Sequence, residues 1–406
     1  MGGSRCYHRC ILAATAVIVA LLLLSPIPST GCIHEHDDDV QEMTAVGKSF
    51  LKRTVASLDD LPGDEAEEDT ARGLTPLESV FASQPSRDKA RENLRFLTSH
   101  PHMAGTKQDE VLARWLVDKL KELGADASWV DPIDAFLSYP HRRPRLAVVC
   151  PKNESEVHFE AKLSEDILPN DATSDTWDRN HTFNGYSASG RVKGKLVYAN
   201  FGTPDDFRVL DKWNISVNGK IVLMRYGKCF RGLKVMNAQQ RGAIGAIIYS
   251  DPHEDGFSVG STYPEGPWRP QSSVQRGSVQ FNSLCAGDPV RAASNNDTSE
   301  KCGYKSEELY PAIPVLPISW EDALPLLREL HGPFAPSEFV GALQIPYKLG
   351  PSHRDVLLDI KNRFAIRKIW NAFAIFKGHH YGTDRDRPLV IGNHRDAWVF
   401  GMCWPH

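Results

Sequence analysis

The chain has 406 residues, of which 41% are hydrophobic and 24% charged, with a formal net charge of −4. That is ordinary globular composition, sized for two or three domains, and it excludes wholesale disorder, collagen and a multispanning membrane protein. No basic excess speaks for a nucleic-acid partner, and 8 cysteines are too few for a disulfide scaffold.

Residues 1–9 are basic, with Arg5 and Arg9, and residues 10–24 are uncharged and rich in Ile, Ala, Val and Leu. The run is shorter than the roughly 20 residues that cross a bilayer. Ser25-Pro26-Ile27-Pro28 stops it, and small Ser29, Thr30 and Gly31 follow. This layout predicts a secretory signal peptide over residues 1–32, with a short type II membrane anchor as the alternative. Basic residues before the run and acidic Glu35 and Asp37 after it orient both alternatives alike. Either way the remainder lies in the secretory pathway, secreted or held by a single membrane anchor. Sequons at Asn153, Asn180, Asn214 and Asn296 suit that compartment as glycosylation sites. Cys285 and Cys302 flank a polar loop and either pair there or stay free.

Residues 33–85 read as an acidic stalk, with a short helix near 46–58. Ser86 caps a predicted helix over 87–97, and Pro101 and Gly105 then interrupt the chain. Leu112, Trp115, Leu116, Leu120 and Leu123 share one helical face, and Gly124 closes that helix. Apolar runs at 135–139 and 146–150 predict strands, and 151–185 reads as surface loops. Strands at 195–199, 220–225 and 243–249 follow, with a helix over 233–241 between the last two, which is β-α-β punctuation. A Gly- and Pro-rich loop spans 256–277. Residues 313–318 lead into a helix near 320–330. Three more strands are expected at 356–364, 367–376 and 388–392.

There is no GxGxxG, Walker loop, HExxH or CxxC, and no serine elbow is expected, which removes the common nucleotide, serine-hydrolase and thioredoxin readings. One segment has the look of a metal site. The apolar run before Gly392-Asn393-His394-Arg395-Asp396 ends in a His and an Asp two apart. A carboxylate that holds one ring nitrogen leaves the other for a metal. Taken alone, the pattern equally describes a surface His beside an ion-paired Arg395.

Several segments, in order, resemble the glutamate carboxypeptidase II and transferrin-receptor branch of the aminopeptidase-like zinc peptidases. They include Ser99-His100-Pro101-His102-Met103-Ala104-Gly105-Thr106, Arg225-Tyr226-Gly227-Lys228, Phe230-Arg231-Gly232, Val274-Gln275-Arg276-Gly277 and Gly392-Asn393-His394-Arg395-Asp396-Ala397-Trp398. The resemblance covers about residues 86–401. It implies an α/β fold: the N-terminal part of an aminopeptidase-like zinc peptidase, interrupted by a mixed α+β protease-associated domain. Its parts would be peptidase at 86–174, protease-associated domain at 175–340, peptidase resumed at 350–401, and an unrelated tail at 402–406.

The resemblance implies two zinc ions, peptide substrates and a homodimer for the family. His394 falls on the first zinc ligand and Asp396 on the carboxylate supporting it. Arg225, Arg231 and Arg276 are candidates for the substrate cleft. Thr203 stands where glutamate-preferring members carry an Arg, and Trp268 lies near a pocket Asn, so a preference for C-terminal glutamate does not carry over. After Gly401 the resemblance breaks: Trp404 occupies the position of the bridging Asp, and the remaining ligands and general base belong downstream. The expectation is a polypeptide truncated within the peptidase domain, binding zinc unstably, catalytically inactive and without the family's dimer contacts. The alternative is a non-catalytic protease-associated interaction module.

Overall fold

A computed structural model describes residues 79, 82–169, 171–176, 179, 181–289 and 302–398. The segment 1–32, nearly all of the stalk, Asn180, Asn296, Val399, Phe400 and the tail with Trp404 lie outside the described residues. None of the described helices is long and apolar enough to cross a membrane.

Two helices open the described chain, α1 (Arg87–Leu97) and α2 (Lys107–Glu122). Ser86 caps α1 by accepting from the Lys89 amide, and Thr106 caps α2 by accepting from Asp109. Then come β1 (Ala127–Pro140), β2 (Arg145–Val149), β3 (Val157–Glu160), β4 (Asn184–Gly185), β5 (Gly190–Gly194) and β6 (Leu196–Tyr198). α3 (Pro204–Lys212), β7 (Ile221–Arg225), α4 (Arg231–Gln240), β8 (Gly245–Tyr249) and β9 (Gly277–Ser278) follow. The last elements are β10 (Val315–Ile318), α5 (Trp320–Arg328), β11 (Asp355–Ile360) and β12 (Asn362–Ile375).

The centre is a parallel sheet in the order β10-β8-β7-β6. Every residue of β7, β8 and β10 is buried, as a parallel sheet covered on both faces demands. Against it lies an antiparallel sheet in the order β3-β2-β11-β5. β2 alternates as a pleated strand must: Leu146 and Val148 enter the main core, while Ala147 and Val149 join Leu357 on the opposite face. The main core gathers both sheets with Phe207, Val235 and Leu326 from α3, α4 and α5. Each fully buried Leu, Ile or Phe contributes roughly 2 kcal/mol of apolar burial.

The third unit is a ribbon. β1 and β12 pair antiparallel over their full 14 residues, from Ala127↔Ile375 to Pro140↔Asn362. α2 packs against it, burying Leu112, Ala113 and Leu120.

Four expectations need correction. The strands expected at 356–364 and 367–376 divide instead at Lys361, and β12 runs unbroken from Asn362 because β1 offers a partner along its whole length. Residues 151–185 are not all surface loop: they hold β3 and bury Leu163 and Phe183. The strand expected at 135–139 begins eight residues earlier, at Ala127, because β12 pairs with it along its whole length. The strand expected at 388–392 does not form. That stretch pairs with no described strand, and Leu389 and Val390 are 84% and 89% exposed. An apolar run becomes a strand only against an edge that takes its hydrogen bonds.

Candidate functional site

Past the exposed run the chain returns to the protein at His394. Its Nδ1 donates to the backbone carbonyl of Asp396 at 2.8 Å, and the Asp396 carboxylate lies 3.5 Å away. A carbonyl only accepts, so Nδ1 carries the proton and Nε2 keeps its lone pair. The supporting contact expected of the Asp396 carboxylate is thus made more closely by its own main chain. The His394 side chain is 77% exposed. Its hydrogen bond to Asp396 raises its pKa. Burial pushes the Asp396 carboxyl up, but the contact with His394 outweighs this and holds it below its ordinary value.

Arg395 turns inward. Its Nη2 forms an ion pair with Asp109 and donates to the Asp109 carbonyl at 3.1 Å and the Trp370 carbonyl at 3.0 Å. Asp109 also accepts from the Gly105 amide at 3.0 Å. Burial pushes the Asp109 carboxyl above its ordinary range, and the Gly105 amide and Arg395 offset only part of that. Gly105 is required here. Its φ is +74°, and a Cβ would stand 2.6 Å from the Tyr139 hydroxyl and 2.8 Å from Leu137.

The Ala397 amide donates to the His102 carbonyl at 3.4 Å. Trp398 meets Phe183 edge-on at 5.7 Å and covers Gly185. Met103, Leu137, Ser138, Tyr139, Asp396 and Trp398 line a small recess, into which the buried Ser138 hydroxyl brings no hydrogen-bond partner. The segment 99–106 therefore wraps the His394 segment. Asp109 was missed in the sequence. Its signal was the Thr106-x-x-Asp109 capping spacing, which says nothing of a partner almost three hundred residues away.

The three arginines lie elsewhere. The Arg225 side chain is 2% exposed and ion-paired with Glu254 at 3.2 Å; it also donates to Asn200 and the Glu338 carbonyl. Burial pushes Glu254 up to about 7 against the pull of Arg225. The Arg276 side chain is 2% exposed and ion-paired with Glu165 at 2.7 Å. Both are spent inside the fold rather than facing an open cleft. Arg231 stacks on Phe230 at 5.1 Å and crowds Gly277, and its buried Nε has no hydrogen-bond partner.

Thr203 caps α3 in a reciprocal box with Asp206, and Trp268 closes over Gly260. Gly256-Phe257-Ser258-Val259-Gly260 spells G-x-S-x-G, but it lies in turns and leaves Ser258 exposed. A serine elbow needs a strand–turn–helix setting that is missing here. Cys285 and Cys302 form a disulfide across 17 residues; Asn153 and Asn214 are exposed.

Comparison with known proteins defines the class first. Residues 192–280 match the PA domain family, so the sheet of β6, β7 and β8 with α3 and α4 belongs to a PA domain. The "Probable glutamate carboxypeptidase" of Arthroderma benhamiae is 36% identical over 94% of this chain and 51% of its own length. The "Aminopeptidase NAALADL1" of Rattus norvegicus is 33% identical over 82% of this chain and 45% of its own length. A solved zinc aminopeptidase from Bacillus subtilis aligns over 70% of this chain and 45% of its own, with 15% identity and a TM-score of 0.35.

The chain is thus a PA-domain protein of mixed α/β fold. It is similar to proteins named glutamate carboxypeptidase and aminopeptidase, and it spans about half the length of the curated relatives it matches.

A zinc ion tests the donor set. His394 has the right tautomer and exposure for one ligand. Zinc sites commonly take three or four protein donors, and no group of three His, Cys, Asp or Glu among the described residues could hold a metal. The described residues therefore do not make a zinc site by themselves.

Proposed function

We propose that the chain forms the PA module and the opening part of the peptidase domain of a zinc-dependent exopeptidase acting on peptides or dipeptides. His394 is one zinc ligand, through Nε2, and Asp396 orients its ring. The observation that carries this reading is the 36% likeness to a probable glutamate carboxypeptidase across 94% of the chain, together with the Nδ1 proton held by Asp396. Among the described residues no group of three zinc donors stands together, so a polypeptide of residues 86–398 by itself is expected to hydrolyse no acidic dipeptide. Chelator-sensitive turnover by that polypeptide would count against this.

The family reading is tested by a chimaera in which residues 86–398 replace the matching part of a full-length relative. It should hydrolyse the relative's substrate and lose at least about a hundredfold with His394→Ala, a loss on the scale of a removed catalytic group. A folded chimaera without activity sinks the reading. The Cys285–Cys302 disulfide supports an oxidising, secretory location. Secreted material should shift on a gel after deglycosylation, through exposed Asn153 and Asn214.

A further inference from the structure

We propose that the buried Asp109–Arg395 ion pair is a positioning clamp, which fixes the His394–Trp398 segment against the start of α2 and the edge of β12. This deepens the peptidase reading, since the consequence for zinc rests on His394 being a ligand. The clamp itself does not.

Residues 388–392 have no strand partner and stand exposed, Val390 at 89%. Nothing along that stretch aims the residues that follow. Three residues past its end, at Arg395, the chain is held again. The Arg395 and Asp109 side chains are 13% and 3% exposed. One guanidinium nitrogen joins three things: the Asp109 carboxylate, the main chain of α2 and the main chain of β12 at Trp370.

Asp109 is in turn fixed by the Gly105 amide, and that turn is locked by the hydrogen bond from the Tyr139 hydroxyl to the Ala104 carbonyl at 2.7 Å. The clamp therefore rests on α2, β1 and β12 together. Beside the clamp the segment makes an amide hydrogen bond of 3.4 Å at Ala397 and packs the Trp398 ring against Met103, Tyr139 and Phe183. His394, on the outer side of Arg395, contacts its own segment through Asp396. Its direction is set by where Arg395 is pinned. A buried charge that loses its counter-ion no longer favours the buried position, so breaking the pair should release the segment.

The experiment is hydrogen exchange of the full chain, without metal or peptide. In Asp109→Asn and Arg395→Gln the Ala397 amide, which donates to the His102 carbonyl, should exchange at least tenfold faster, while the amides of β7 and β8 keep their protection. Arg395→Lys, which keeps a cation with three donors for the same three acceptors, should restore most of the protection. If the single variants fail to fold, the double variant Asp109→Asn/Arg395→Gln leaves no unpaired charge and carries the same expectation. Unchanged exchange at Ala397 in the double variant, or equal loss with Arg395→Lys and Arg395→Gln, overturns the clamp. Because the readout needs no zinc, an inactive chimaera with a working clamp would sink only the peptidase reading. An active chimaera whose exchange ignores the clamp would sink only this one.

Discussion

Lys234 gives the sharpest test of the electrostatics. Its side chain comes from α4 and is fully buried. Nζ donates to the Phe201 and Gly227 carbonyls, both at 2.6 Å, and lies 5.6 Å from the Phe201 ring. Burial lowers its pKa from 10.5 to about 8, with Cys229 partly opposing the shift. Below pH 8 the folded and unfolded chains both carry the proton, and the cost of burying the charge is complete. Between 8 and 10.5 the unfolded chain holds the proton and the folded chain does not, so stability rises with pH. The whole gap is worth about 3 kcal/mol, and about 2 kcal/mol of it falls between pH 7.5 and 9.5.

The assay is urea unfolding of the wild type and of Lys234→Met across that range. Both proteins carry Cys229→Ser, because burial pushes that thiol up and Lys234 pulls it back. Met orphans the same two carbonyls at every pH, so that penalty cancels from the trend. The protein that keeps Lys234 should gain at least about 2 kcal/mol on the variant as pH rises, because removing Cys229 takes away a contact that opposes the shift. A difference that stays flat would refute the buried-charge account, whatever its size at pH 7.5.

Other consequences are quicker to check. Gly105→Ala should cost roughly 1–3 kcal/mol in a urea midpoint, from a strained positive φ and contact with Tyr139; a neutral result would mean the turn relaxes. Cys285→Ser should cost about 3 kcal/mol, as expected for a bridge over 17 residues, and should abolish the effect of a reductant on the melt. Glu254, pushed up to about 7, keeps its proton in the folded chain through a window where the unfolded chain has lost it. The stability of wild type relative to Glu254→Gln should therefore fall between pH 4.5 and 7, and a rise would reverse the assigned direction.

The parallel sheet was legible in the sequence because its information is local. Residues 221–224 and 243–249 are apolar throughout, and a helix with a Gly stop sits between them. The same logic failed at 388–392. Leu389-Val390-Ile391 has strand composition, but composition does not supply the neighbour that takes its hydrogen bonds. The candidate site divides in the same way. The His394-Arg395-Asp396 triplet was visible as chemistry, and the Asp396–His394 contact follows from two-residue spacing. Asp109 could not be seen, because an ion pair between residues 109 and 395 leaves no periodic trace. Arg225 and Arg276 looked like cleft residues for the converse reason: an arginine in a loop motif reads as exposed until its burial beside Glu254 and Glu165 is known.

The two parts of the molecule should also differ in how they open. The central parallel sheet is buried on both faces, with Leu223, Ile247 and Leu316 fully buried. The β1–β12 ribbon is two strands covered by α2 on one face, and it leaves Ile366 65% exposed and Trp129 and Phe373 each 43% exposed. A two-stranded ribbon is marginal in water without a third strand or a helix against it, so its opening costs less than opening the PA core. Amides near the middle of β12 should exchange on the order of a hundredfold faster than those of β7 under native conditions, which corresponds to about 3 kcal/mol between local and global opening. Residues 368–372 are the place to look, since the cross-strand pair of Trp129 with Phe373 at 5.3 Å holds one end and Phe136 with Phe364 at 5.1 Å the other. Equal protection in β12 and β7 would mean the ribbon and the PA core unfold as one cooperative unit, and that α2 alone is cover enough to make the ribbon part of a single fold.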